Sequence, residues 1–95
     1  MKMPKKNFTA SHLIKYIEFD NGKKLYLIKH SEDAIVRRNI SEDDIIDTFL
    51  NSDMVVPNKD YENARNYIKH FGNKKLKIGV KDDAEPYILI TAFMQ

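Results

Sequence analysis

Cysteine is absent from this 95-residue sequence, and glycine and proline occur only three times each. Zero cysteines exclude a disulfide framework and any thiolate metal site. The three glycines stand singly, so there is no Gly-rich phosphate loop. No apolar run approaches the roughly 20 residues that cross a bilayer. The opening MKMPKKNF carries basic residues with no apolar segment after them, and does not read as a signal peptide. Asp43, Asp44 and Asp47 do not match a calcium loop, and no pair of the three histidines has zinc-site spacing. The expectation is therefore no metal and no cofactor. An excess of charge of one sign is also missing: 16 basic residues face 14 acidic ones, a formal net charge of +2. Bulk charge then says little about a polyanionic partner, and only clustering of the cations can speak to it.

What is present is ordinary for a globular protein, with 42% hydrophobic and 32% charged residues. The length suits a single domain. We expect a loose basic lead-in over residues 1–7, one α+β domain over residues 8–95, a cytoplasmic location and no membrane partner. The cations do cluster: Lys2, Lys5 and Lys6 form one group and residues 69–81 a second, while acids crowd residues 42–47. A basic face and an acidic helix follow.

Local patterns divide the chain into short elements. Asn21-Gly22 supplies the positive φ angles of a tight hairpin turn between apolar runs, so residues 14–19 and 24–29 read as an antiparallel hairpin. Ser31 stands where a helix N-cap belongs, Glu32 and Asp33 suit the first turn, and Asn39 is a left-handed stop. Ser41 caps a second helix whose Ile45, Ile46, Phe49 and Leu50 form an apolar stripe at helical spacing. A short strand follows at residues 54–56. Residues 64–71 alternate, and in residues 75–81 Leu76, Ile78 and Val80 point one way and Lys75, Lys77, Gly79 and Lys81 the other. Residues 87–94 are almost continuously apolar, as a central strand is. The fold class expected is α+β, with two helices packed on a small antiparallel, twisted sheet after an N-terminal β-hairpin.

The most informative stretch is residues 24–46. It sets His30 at the end of the second strand and carries Arg37 and Arg38 on the helix that follows. A proton-transfer group beside fixed guanidinium charge suits work on phosphodiesters. The same stretch resembles a bacterial family of unknown-function domains allied to the RelE, ParE and BrnT toxins. The residues that carry the resemblance are His30, Arg38, Asn39, Ile40, Ser41 and Glu42, then Met54-Val55-Val56, then the C-terminal ILITAF with Thr91 and Phe93. It covers roughly residues 24–95. One departure is Ala34, which stands where family members often carry an arginine.

The resemblance implies a RelE-like fold of the barnase, EndoU, colicin and RelE group, and a metal-independent endoribonuclease acting as a toxin. Its implied partners are RNA, as tRNA or ribosome-bound mRNA, and an acidic antitoxin or immunity protein. Metal-free RNA cleavage needs a base, an acid and cations around phosphorus. His30 is the candidate acid or base, Arg38 the candidate phosphate clamp, and Thr91 a hydrogen-bonding partner in catalysis. Arg37, Lys75, Lys77 and Tyr87 are the candidate substrate-binding residues. The second reading is a non-catalytic RNA- or protein-binding module of the same type, for which Ala34 is the motive. The third is an interaction module that pairs through an edge strand within residues 55–70.

Overall fold

The computed structural model describes residues 12–20 and 22–95. The expected basic lead-in lies outside the described residues, as does Asn21 of the first turn. Six strands and two helices follow one another: β1 (Lys15–Asp20), β2 (Lys23–Leu27), α1 (Lys29–Arg38), α2 (Glu42–Leu50), β3 (Met54–Pro57), β4 (Ala64–Phe71), β5 (Lys74–Lys81) and β6 (Tyr87–Met94).

All six strands belong to one sheet, in the order β1-β2-β6-β5-β4-β3. This corrects the expectation of a small antiparallel RelE-like sheet with a hairpin before it. The hairpin joins the sheet because β2 runs parallel to β6, with Leu25 opposite Tyr87 and Leu27 opposite Leu89. Both strands place apolar side chains on the same side, and pairing them buries both rows at once. The result is a larger, mixed sheet.

Both helices cover one face of that sheet. Leu25, Leu27, Leu76, Ile78, Val80 and Leu89 point into the layer between, each fully buried, and Ile45 of α2 meets them from above. Fully burying one such side chain contributes roughly 1.5–3 kcal/mol. An aromatic group closes the end of this core. Phe49 packs edge-on against Phe19 and Tyr67 at 5.2 and 4.9 Å, and Tyr87 stacks on Phe19 at 6.4 Å.

The helix ends follow their sequence signals, with one exception. Asn39 closes α1 in the left-handed region at φ 52°, and the Ser41 hydroxyl accepts from the Asp44 N–H at 3.1 Å to open α2. The exception is the start of α1, where the N-cap is Ile28 and not Ser31. Ser31 sits three residues in, fully buried; its hydroxyl accepts from the Ile28 N–H and donates to the Ile28 carbonyl, each at 3.0 Å. The helix thereby begins three residues early and takes Lys29, His30 and Ser31 with it.

Two further details shape the other face. Gly72 has a φ of 65° at the first position of the two-residue loop between β4 and β5, which a glycine adopts without strain. In β6, Ile90 is an extra residue, since Gly79 pairs with Thr91 but Val80 pairs with Leu89. This bulge sets the facing of Thr91 and Phe93. No helix among the described residues is long and apolar enough to cross a membrane.

Candidate functional site

Side chains alternate across a strand, so the residues between the core positions emerge on the face without helices. On β5 these are Lys75, Lys77 and Gly79; on β6, Thr91 and Phe93; on β4, Asn66, Ile68 and His70. The register places Lys77 between Ile68 and Phe93, and Gly79 between Asn66 and Thr91. Directly opposed side chains start about 5 Å apart, so these rows are in contact range. A Cβ on Gly79 would meet Asn58 and Asn66 at 3.3 Å and the Thr91 methyl at 3.4 Å, which confirms that those three side chains share one face. Asn58 donates to Asn66 at 2.9 Å, and its own carbonyl accepts from the N–H groups of Asp60 and Tyr61.

Arg38 reaches this region from the end of α1. The parallel contact between β2 and β6 stops at Leu89, leaving the later carbonyls of β6 without a strand on that side. The Arg38 guanidinium donates to the Ala92 carbonyl at 2.8 Å and lies 5.0 Å from the centre of the Phe93 ring. Phe93 remains 40% exposed, a large ring with a cation on it and one surface toward water. The packing contact and the hydrogen bond hold the guanidinium plane in place, so little freedom is left to lose on binding.

The structure gathers four of the sequence-predicted residues on this face or at its rim: Arg38, Thr91, Lys75 and Lys77. It does not bring the other three to them. His30 lies in the first turn of α1, exposed, and its side chain makes no hydrogen bond or ion pair with a described residue. Eight helical residues separate it from Arg38, about 12 Å along the axis. The expected strand-end histidine with guanidinium groups one turn away is thus corrected by the early start of α1. Arg37 is exposed on the same helix and also unpaired among the described residues. Tyr87 points the other way, into the aromatic group with Phe19 and Phe49, and its outer edge lines a cavity at the sheet's end.

Ion pairing distinguishes the cations further. Lys15, Lys29, Lys69, Lys81 and Arg65 each lie within 4 Å of a carboxylate. Among the described residues, Lys23, Lys24, Arg37, Arg38, Lys59, Lys74, Lys75 and Lys77 have no such partner, and of these Lys75 and Lys77 lie on the open face. The acids of α2 lie on the helical layer, where Asp47 stands 3.7 Å from Lys69. A sheet face with uncommitted cations is therefore separated from an acidic helix by the core.

Two other polar groups stand apart from this region. At the far corner of the face, Asp53 accepts from the His70 N–H at 2.8 Å and meets its ring Nδ1 at 3.1 Å. The backbone bond first, and the ring second, hold the Asp53 carboxyl below the usual carboxylate range. On the helical side, Asp82 receives Arg65 at 2.7 Å and the Tyr67 hydroxyl. Burial, reinforced by the Asp82 carboxylate, pushes the Tyr67 hydroxyl up to about 12. Among the described residues no three His, Asp or Glu side chains are grouped to hold a metal ion.

Sequence reasoning passed over Phe93 as a site residue, although its alternation with Thr91 was readable. What was not readable was that α1 ends beside it. No family model, curated protein or solved structure matches this chain.

Proposed function

We propose that the protein binds single-stranded RNA on the open face of its sheet, without cleaving it. The observation that carries this reading is Arg38 stacked over the half-exposed Phe93, beside Thr91 and the unpaired Lys77. An exposed ring accepts any base by stacking, worth roughly 1–3 kcal/mol per base. Lys75 and Lys77 are spaced along β5 to meet successive backbone phosphates, and Thr91 offers a hydroxyl to a phosphate or a sugar. A duplex presents no base faces and would not use the ring. The likeness of residues 30–42 and 88–93 to the toxin-allied family accords with an RNA ligand and a cytoplasmic setting.

Binding without cleavage is favoured because the acid–base group and the phosphate clamp of the cleavage reading do not converge. A general base must come within hydrogen-bond reach of the proton it removes. His30 stands eight residues before Arg38 on α1, about 12 Å along the helix axis.

Fluorescence anisotropy with a labelled single-stranded octaribonucleotide tests the proposal. Phe93→Ala should weaken binding by about 5- to 50-fold. Lys75→Ala and Lys77→Ala should each reduce the slope of log affinity against log salt by roughly 0.7. The label should remain on a full-length strand after overnight incubation. Unchanged affinity in Phe93→Ala removes the open face from consideration, and cleavage that His30→Ala abolishes restores the ribonuclease reading.

A further inference from the structure

A polar row crosses the open face beside Phe93. The register sets Asn66, Gly79 and Thr91 side by side on β4, β5 and β6. Because Gly79 has no side chain, the Asn66 amide and the Thr91 side chain close in over the same point of β5, and the Asn58 amide joins them there. The backbone fixes which way these amides turn. The Asn58 carbonyl oxygen accepts from the N–H groups of Asp60 and Tyr61 at 2.8 and 3.0 Å, an Asx turn. Its amino group is thereby aimed at Asn66, whose carbonyl oxygen accepts from it at 2.9 Å. An amide carries its oxygen and its nitrogen on opposite prongs, so Asn66 turns its own amino group away from Asn58. That amino group and the Thr91 hydroxyl make no hydrogen bond with a described residue, and both side chains are partly exposed.

We infer that this row, which depends on the open face binding RNA, reads the edge of the base stacked on Phe93. It selects a base with a carbonyl and a ring N–H at that edge, as uracil and guanine have, over one with an amino group, as cytosine and adenine have. Thr91 stands two residues from Phe93 on the same face of β6, about 7 Å away. The edge of a base on the ring, directed along the strand, therefore meets Thr91 and then Asn66. The Asn66 amino group donates to the base carbonyl, and the Thr91 hydroxyl accepts from the ring N–H. Lys77, set between Ile68 and Phe93, adds a further donor. An exocyclic amino group in this place faces the Asn66 amino group, donor against donor, because the Asn66 carbonyl is turned to Asn58. A hydrogen-bonding site discriminates through the polar groups that the wrong ligand leaves unpaired. Asn58 is thus a positioning residue: it decides which prong of Asn66 meets the base.

Fluorescence anisotropy with labelled octauridylate and octacytidylate tests this, since the two pyrimidines have rings of one size and differ at the edge. Octauridylate should bind about 5- to 20-fold tighter. Asn66→Ala removes the reading group and should bring the two affinities within about twofold. Asn58→Asp keeps an acceptor for the Asp60 and Tyr61 N–H groups and offers its second oxygen to Asn66. Asn66 then donates to that oxygen and presents its carbonyl to the base, so the preference should reverse in favour of octacytidylate. A residue that only shapes the loop would weaken both octamers alike, and circular dichroism checks that each variant is folded. Equal affinities of the parent protein for the two octamers, or a preference in Asn58→Asp that stays with octauridylate, overturns the inference. If Phe93→Ala still weakens both octamers in that case, the open-face reading survives alone. If neither octamer binds the parent protein, both fall.

Discussion

Arg38 shows how one side chain acquires a role from what surrounds it. On the sequence it is a helix-ending cation; in the fold it closes an unpaired strand carbonyl and covers an aromatic ring. Arg38→Met keeps the length and removes both interactions, and should lower unfolding free energy by about 1 kcal/mol in urea titrations. Tyr67 is the second residue whose surroundings decide its chemistry. Its hydroxyl is raised to about 12 by burial and by Asp82, above the ordinary tyrosine value of 10.0. Its proton stays bound in the folded state after the unfolded state has lost it, so its contribution is intact below pH 10 and is lost as pH rises toward 12. Tyr67→Phe should flatten that alkaline decline. Absorbance at 295 nm should show in the parent protein a tyrosine ionisation near pH 12 that is missing from Tyr67→Phe.

At the scale of elements, the helix ends carry the clearest local information. Asn39 sits at φ 52°, where a β-branched residue clashes with its own carbonyl. Asn39→Val should cost about 1–2 kcal/mol in thermal or urea unfolding, while Asn39→Gly should stay within about 0.5 kcal/mol. This stop was readable because asparagine tolerates the left-handed region. The start of α1 was not. Ser31 is a good N-cap by type, and Lys29-His30 continues the alternation of β2, so local pattern favours a strand up to His30. The hydroxyl instead folds back on Ile28, whose burial at 7% exposure draws the chain into the helix sooner. A shift of three residues takes His30 out of the supposed site.

On the scale of the whole molecule, the parallel contact of β2 and β6 organises everything else. It makes one sheet of the hairpin and the meander, leaves the end of β6 open for Arg38, and brings the strand starts around the cavity. Central strands should then open last. Amide hydrogen exchange should be slowest in β5 and β6, and fastest among the strands in β3, a four-residue edge with Met54 and Val55 exposed. Equal protection of β3 and β5 would contradict this order.

By itself the sequence determined the elements and their inward faces. Period-two alternation in residues 75–81, asparagine at helix and hairpin turns, and Ser41 before three acids are local signals that burial and backbone sterics enforce. They separated Leu76, Ile78 and Val80 from Lys75 and Lys77 without any knowledge of neighbours. Only the tertiary structure decided which strands lie side by side, because pairing partners distant in sequence leave no local trace. That choice put Thr91, Lys77 and Arg38 around Phe93, turned Tyr87 into the aromatic group with Phe19 and Phe49, and left His30 alone. Register and crossover are settled by the packing of apolar rows from different parts of the chain, and the candidate site is built from those crossings.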